Sequence, residues 1–489
     1  HNSSELVVRL DPFRQRVLDR VSELGKDFHG RDWLAEAVQK QLERSGGEDK
    51  NRGESKSKSS SSSPTFVIVY GDSGTGKSAF FSRLLDENFC DAKGGSWQNI
   101  SSRLLADHIC RVQDDDSLSP IKWARSLAGQ IFLAMLTADQ LSEALKVGGH
   151  SDREAFIAWL EKEESVRGIL KEWVIPVLKS LGSAEALGGR DMIAIDSLDE
   201  ARTHAVLGGS SSDTIVTYLV ELRREWPDWI RFFATSRPDL ETKKCLDPLT
   251  GDANIDVEDE RNLEDVREFV RFSLERGFRL GESGAYQKTN LFLSRALQCQ
   301  ELNEMLDAKS CDTLARAPMC RNWHLWQPGT VDLICNKANG VFMYAREVLK
   351  QLNDDPFLDL ESLPFGLAEL YMTRYKKTFP HGSLKQFQSH SEPMLSMLVA
   401  SRGPLPIDVV RGAGVDSSKK VDKDFNAERR RHLEFVQTMC VGSLVDVGLL
   451  RFSHTSFSDW LTGKKAGDEM EETQAGLYHI EMEEAWKLM

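Results

Sequence analysis

The sequence predicts an α/β domain built on a parallel sheet with flanking helices, followed by a helical domain and then a winged-helix domain. Three observations carry this prediction. Short β-branched or aromatic runs at Thr65–Tyr70, Met192–Ile195 and Ile230–Ala234 alternate with amphipathic stretches such as Ile121–Leu136 and Asp213–Glu225, a pattern that gives right-handed crossovers and a parallel sheet. A Gly-rich turn, Gly71–Ser78, follows the first run directly. Beyond residue 258 the strand signals fade and helical periodicity takes over at Leu263–Leu274, Val331–Leu352 and Leu363–Phe379.

Taken in order, residues 1–45 read as a helical lead-in. Leu10, Phe13, Val17 and Val21, then Trp33, Leu34, Val38 and Leu42, recur at helical spacing, with breaks at Gly25 and Gly30 that predict two short helices. Residues 46–63 are rich in Gly, Lys and Ser and end in the run Ser59–Ser63, a composition that cannot bury a core and predicts a flexible linker. The α/β domain covers 64–258, a helical lid 259–362, and a winged-helix domain 363–465. This last assignment rests on helices around Met394–Ala400 and Arg429–Val441, a strand at Gly448–Phe452 and a short helix at Ser456–Leu461, read together as helices closed by a short hairpin. Residues 466–489, with Leu477, Ile480, Ala485 and Leu488, read as the cut-off start of a helical or repeat region.

The bulk numbers narrow the classes. A chain of 489 residues exceeds one hydrophobic core, and at roughly 100–200 residues per domain it predicts about three. A net charge of -14 argues against a general nucleic-acid binder, which needs an excess of Lys and Arg. The eight cysteines are scattered without paired Cys or His spacing, so they read as reduced thiols of an intracellular, cytoplasmic protein and not as zinc ligands. No apolar run approaches the roughly 18 residues of a membrane span. The chain opens at His1 and reads as a fragment of a longer protein.

Gly71, Asp72, Ser73, Gly74, Thr75, Gly76, Lys77 and Ser78 match G-x-x-x-x-G-K-[ST] in full, after a predicted strand and before a predicted helix. This is the Walker A motif of P-loop NTPases in its confirming context. Its glycines let backbone N–H groups converge on phosphate oxygens, Lys77 reaches the β- and γ-phosphates, and the Ser78 hydroxyl ligates Mg²⁺. Asp196 ends a hydrophobic strand, where a Walker B carboxylate holds Mg²⁺ from the adjacent strand. Asp199 and Glu200 stand just beyond it, placed to orient or deprotonate an attacking water. Arg237, in Thr235-Ser236-Arg237-Pro238 after another buried strand, stands at the carboxyl end of the sheet, where a guanidinium either senses a γ-phosphate or pairs with a carboxylate. Two segments suggest other ligands. Asn336-Lys337-Ala338-Asn339 is close to the guanine-reading N-K-x-D motif but lacks its final Asp, so ATP is favoured and GTP not excluded. The basic run Lys419, Lys420, Lys423 and Arg429–Arg431 reads as a solvated helix face, not a nucleic-acid surface.

The P-loop, Asp196-Ser197-Leu198-Asp199-Glu200, Thr235-Ser236-Arg237-Pro238 and Phe452-Ser453-His454-Thr455-Ser456-Phe457 together resemble the NACHT branch of the STAND P-loop NTPases, especially members that carry ankyrin or WD40 repeats. The resemblance runs from Phe28 to Leu461 and implies an ATP- and ADP-binding signalling switch with Mg²⁺ and slow hydrolysis. It further implies self-association in the triphosphate state and protein partners bound through flanking domains. By the same resemblance, Gly30 and Arg31 of Phe28-His29-Gly30-Arg31 contact adenine, and His454 touches the β-phosphate of ADP and latches the closed state. Phe342, in Gly340-Val341-Phe342-Met343-Tyr344-Ala345, stands where many relatives place a Pro against the base. The alternatives to a switch are an AAA+-like motor with continual turnover and a nucleotide-binding scaffold.

Overall fold

The computed structural model describes residues 3–25, 28–44, 65–112, 114–137, 140–206, 213–238, 242–246, 254–256, 259–275, 329–354, 359–379, 386–401, 404–413, 423–440 and short pieces between 444 and 480. The predicted linker 46–63, His454 and nearly all of 466–489 lie outside the described residues.

Five parallel strands form the central sheet: β1 (Thr65–Tyr70), β2 (Leu104–Ile109), β3 (Met192–Asp196), β4 (Arg231–Ser236) and β5 (Asn254–Asp256), in the order β2-β3-β4-β1-β5. Both faces are covered, which explains why the central strands read as continuous apolar runs. The alternation is strict. Phe66, Ile68, Tyr70, Ile193, Ile195, Phe232 and Ala234 belong to one core cluster, and Val67, Val69, Met192, Ala194 and Phe233 to the other. Three strands match the sequence-based expectation, and β2 and β5 are additional. The β2 sequence hides behind Asp107 and His108, which are both buried, and β5 has only three residues.

The lead-in forms three helices, not the two expected: α1 (Ser3–Leu10), α2 (Arg14–Gly25) and α3 (Asp32–Arg44). The extra break falls at Asp11-Pro12-Phe13, where Pro12 lacks the N–H a continuing helix needs. Helix α4 (Lys77–Leu84) follows the Gly-rich turn, α5 (Pro120–Thr137) covers one face of the sheet, and α6 (Leu198–Val206) follows β3. Past β5 come α7 (Glu260–Glu275), α8 (Thr330–Ala338), α9 (Phe342–Asp354) and α10 (Gly366–Thr378). The stretch Val331–Leu352, expected as one helix, is broken between α8 and α9, where Asn339 (φ 44°) and Gly340 (φ 80°) turn left-handed. These helices share a core of Val266, Val270, Ile334, Tyr344, Val348, Leu352 and Leu370.

A separate cluster includes Tyr371, Tyr375, Met394, Leu398, Val436, Leu450 and Phe452, so α10 serves both cores. It contains α11 (Glu392–Ala400), α12 (Lys423–Thr438) and an antiparallel pair, Leu405–Pro406 with Leu449–Leu450. This pair joins segments far apart in sequence, in place of the local hairpin expected. Arg429 departs from the solvated face read for the basic run: it is buried, and its guanidinium donates to Arg411 O at 2.7 Å and to Ala413 O. Among the described residues no helix is long and apolar enough to cross a membrane.

Candidate functional site

The Gly-rich turn lies at the carboxyl end of the sheet between β1 and α4. The register pairs Tyr70 with Ser236, and Gly71 N–H donates to Ser236 O at 3.3 Å, so the turn begins beside Arg237. Within it, the Thr75 hydroxyl donates to Asp72 O at 2.8 Å. Lys77 folds back, and its ammonium donates to Asp72 O at 2.9 Å and to Gly71 O. Gly74 has φ +84°, and a Cβ there would sit 2.9 Å from Met343 Cβ and 3.0 Å from Val341. That left-handed backbone and close approach both require glycine. Burial lowers Lys77 to about 8, with the Asp199 charge opposing the shift, so the side chain remains a cation at neutral pH.

Asp196 is not on the strand next to β1, as the sequence suggested, because β4 lies between them. Thr235 of β4 bridges the gap. Its hydroxyl donates to Asp196 Oδ1 at 2.5 Å and accepts from Ser197 N–H at 2.9 Å. The Ser78 hydroxyl also hydrogen-bonds Asp196, and burial outweighs both hydroxyls in raising the carboxyl above its usual range. Ser197 has φ 60°, an uncommon conformation for a residue other than glycine, at the turn that starts α6.

Asp199 accepts from Arg237 N–H at 3.1 Å and pairs with its Nε at 3.1 Å, so the carboxylate partner considered for Arg237 is a residue of the same site. Glu200 Oε2 accepts from Val112 N–H at 2.6 Å. Burial, and then the Asp199 charge, push Glu200 up to about 7.

One cleft brings together Ser73, Gly74, Gly76, Lys77, Ser78, Asp199, Glu200, Arg237, Arg31 and Phe342 from the sequence-predicted set. Gly71, Asp72, Thr75 and Asp196 support these residues without lining the cleft. Nor does Gly30 line it: a Cβ there would meet Asp265 Oδ1 at 2.3 Å, so its place is set by packing against α7. Arg31 is almost fully buried, with φ 69°. Its N–H donates to Asp265 Oδ1 at 3.1 Å, its Nη2 donates to Thr75 O, and its guanidinium lies 5.0 Å from the centre of the Phe342 ring. Lys337, of the segment resembling a guanine motif, does not line the cleft; it is buried and donates to Glu361 O at 2.6 Å and to Leu363 O.

The sequence did not single out Arg20 and Glu23 of α2, which pair at 2.9 Å, or Phe269, Met343 and Arg346, all of which line the cleft. Apart from Met343, which lies within the segment Gly340–Ala345, no motif marks them, and tertiary packing brings them there. The cleft suits a polyphosphate on structural grounds. Ser73 Oγ and Arg31 Nη1 are buried without hydrogen-bond partners, and such orphaned donors call for a ligand atom. Ser78 and Asp196 offer the hard oxygen donors that Mg²⁺ takes.

Residues 50–237 match the family model for Nephrocystin 3, N-terminal. The Nephrocystin 3 match spans β1 to β4 and ends on Arg237, so it includes the Gly-rich turn, Asp196, Asp199 and Glu200. It covers less than half of the chain. No curated protein matches the sequence.

Proposed function

We propose that this chain is a NACHT-type nucleotide switch of the STAND class. In this reading it binds ATP or ADP with Mg²⁺, hydrolyses ATP slowly, and couples nucleotide state to opening and self-association. The observation that carries it is the convergence of a buried ammonium, a hydroxyl–carboxylate pair and a helix of the following domain on one Gly-rich turn.

When bound, the magnesium nucleotide supplies an electrophilic terminal phosphorus. The turn's N–H groups and Lys77 take up phosphate oxygens, the ammonium exchanging carbonyl partners for anionic ones that suit it better in a low dielectric. Ser78 and Asp196 would hold the metal. Glu200, titrating about neutrality, accepts the proton of an attacking water, and Asp199 fixes the direction of Arg237 toward the terminal phosphate. Arg31 and Phe342 form the wall against which the base stacks. In the closed state of this scheme, His454 latches the C-terminal helices onto ADP.

Calorimetry with ATP, ADP and GTP, on the wild-type chain and Lys77→Ala, tests the reading. Binding by the wild type and its loss in the variant are expected, with turnover of a few events per hour and ADP retained through purification. Absence of binding to the folded wild type overturns the proposal, and turnover of many events per second replaces the switch with a motor.

A further inference from the structure

We infer that Arg346 of α9 is a second phosphate-binding cation, carried by the helical lid, that ties the lid's position to the phosphate chain. The inference rests on the nucleotide reading above and assigns a residue that no motif marks.

Helix α9 has two faces. Tyr344, Ala345, Val348, Leu349 and Leu352 are buried in the lid core. Phe342, Met343 and Arg346 line the cleft, and their spacing of three and four residues places them on one side of the helix. The start of that side is fixed to the turn. Met343 N–H donates to Gly74 O at 3.2 Å, and the Phe342 ring lies 3.6 Å from where a Cβ on Gly76 would stand. Arg346 therefore enters the cleft about one helical turn beyond the residues that touch the P-loop, and it lines the same cleft as Lys77 and Arg237.

The acids that line the cleft with Arg346, and its chain neighbour Glu347, are engaged with other groups. Glu347 pairs with Arg374 at 2.8 Å, Glu23 with Arg20 at 2.9 Å, Asp199 with Arg237 at 3.1 Å, and Glu200 takes the Val112 N–H. Arg346 is half-buried and has no ion-pair or hydrogen-bond partner among the described residues. A guanidinium carries five donors and keeps its charge, and with no acceptor assigned to it among the described residues Arg346 is open to an anion bound in the same cleft. A phosphate oxygen provides that anion in the geometry a guanidinium fits best. The contact then spans two domains, giving the phosphates a direct hold on the lid.

Arg346→Gln and Arg346→Lys in the full chain test this by titration with Mg-ATP and Mg-GTP and by hydrogen exchange over residues 329–354. A charge-assisted bond of this kind corresponds to an affinity loss on the order of 10-fold in Arg346→Gln. The loss is expected to be equal for both nucleotides, with partial recovery in Arg346→Lys. Nucleotide-dependent protection of 329–354 is expected to disappear in Arg346→Gln. Wild-type affinity and protection in Arg346→Gln, or a loss confined to one base, overturn the inference while leaving the nucleotide site intact. Failure of the wild type to bind either nucleotide removes the site itself.

Discussion

Glu200 is held where a proton acceptor for neutral pH has to be. Burial raises it, the Asp199 charge raises it further, and the Val112 N–H and Arg237 hold it near 7. If Glu200 is the base of the proposed ATP hydrolysis, it works when deprotonated, so kcat is expected to climb with pH through about 7 and level off above it. Glu200→Gln should lower turnover by about 10²-fold or more while ATP affinity stays within about threefold. A pH–rate profile with a binding isotherm on the same variant checks both. Loss of affinity in step with rate would make Glu200 a structural residue. Arg31, expected from the resemblance as an adenine contact, is placed by packing instead against the turn and the helix that follows: its single guanidinium touches Thr75 O and lies over the Phe342 ring.

At the scale of elements, the attachment of α9 to the Gly-rich turn is the contact most sensitive to small changes. Gly74→Ala adds a methyl 2.9 Å from Met343 Cβ at φ +84°. Strain of about 1–2 kcal/mol from the left-handed backbone would come with displacement of the helix. Gly149→Ala, at φ +73° with nothing within 4 Å, carries the strain alone. Hydrogen exchange over residues 329–354 is expected to rise in Gly74→Ala and not in Gly149→Ala; equal behaviour would show that the lid does not depend on this contact. Elements were legible in the sequence where one face or both were plainly apolar, as in β1, β3, β4 and α5. They were hidden where buried polar groups broke the pattern, as Asp107 and His108 do in β2, or where one residue turned left-handed, as Asn339 does between α8 and α9. Of the candidate site, Gly71–Ser78, Asp196, Asp199, Glu200 and Arg237 could be picked out from local spacing, and the structure gathers them in and around one cleft. Arg20, Glu23 and Arg346 arrive from helices whose docking no local pattern encodes.

For the whole molecule, the lead-in is tied to the α/β domain through buried carboxyl groups. Asp11 accepts from Ser126 at 2.8 Å, Arg14 reaches Asp107 at 3.4 Å, and Gln130 clamps the Asp107 backbone through bonds of 2.9 and 2.8 Å. Burial raises Asp11, and burial followed by the Asp11 charge raises Asp107 to about 7. A carboxyl raised in the folded state stabilises fully below its unfolded value near 4, and that stabilisation fades as pH rises through about 7. His108, lowered to about 4 by burial, works in the opposite sense over the acid range, so the Asp107 contribution is best read as a difference. Asp107→Asn is expected to gain on wild type by about 1–3 kcal/mol between about pH 5 and pH 8, measured by urea unfolding at each pH. A gap independent of pH would show that Asp107 is ionised in the folded state.

The Gly-rich turn is gripped by Arg31 at Thr75 O and by Met343 at Gly74 O, and these two handles stand on opposite sides of it in the chain. A polypeptide leaving the ribosome therefore has one of them long before the other. Because synthesis runs at about 5–20 residues per second, the last strand of the sheet emerges several seconds before the second grip does. In the proposed nucleotide reading, a ligand captured in that interval would meet the turn before the helix that carries Met343.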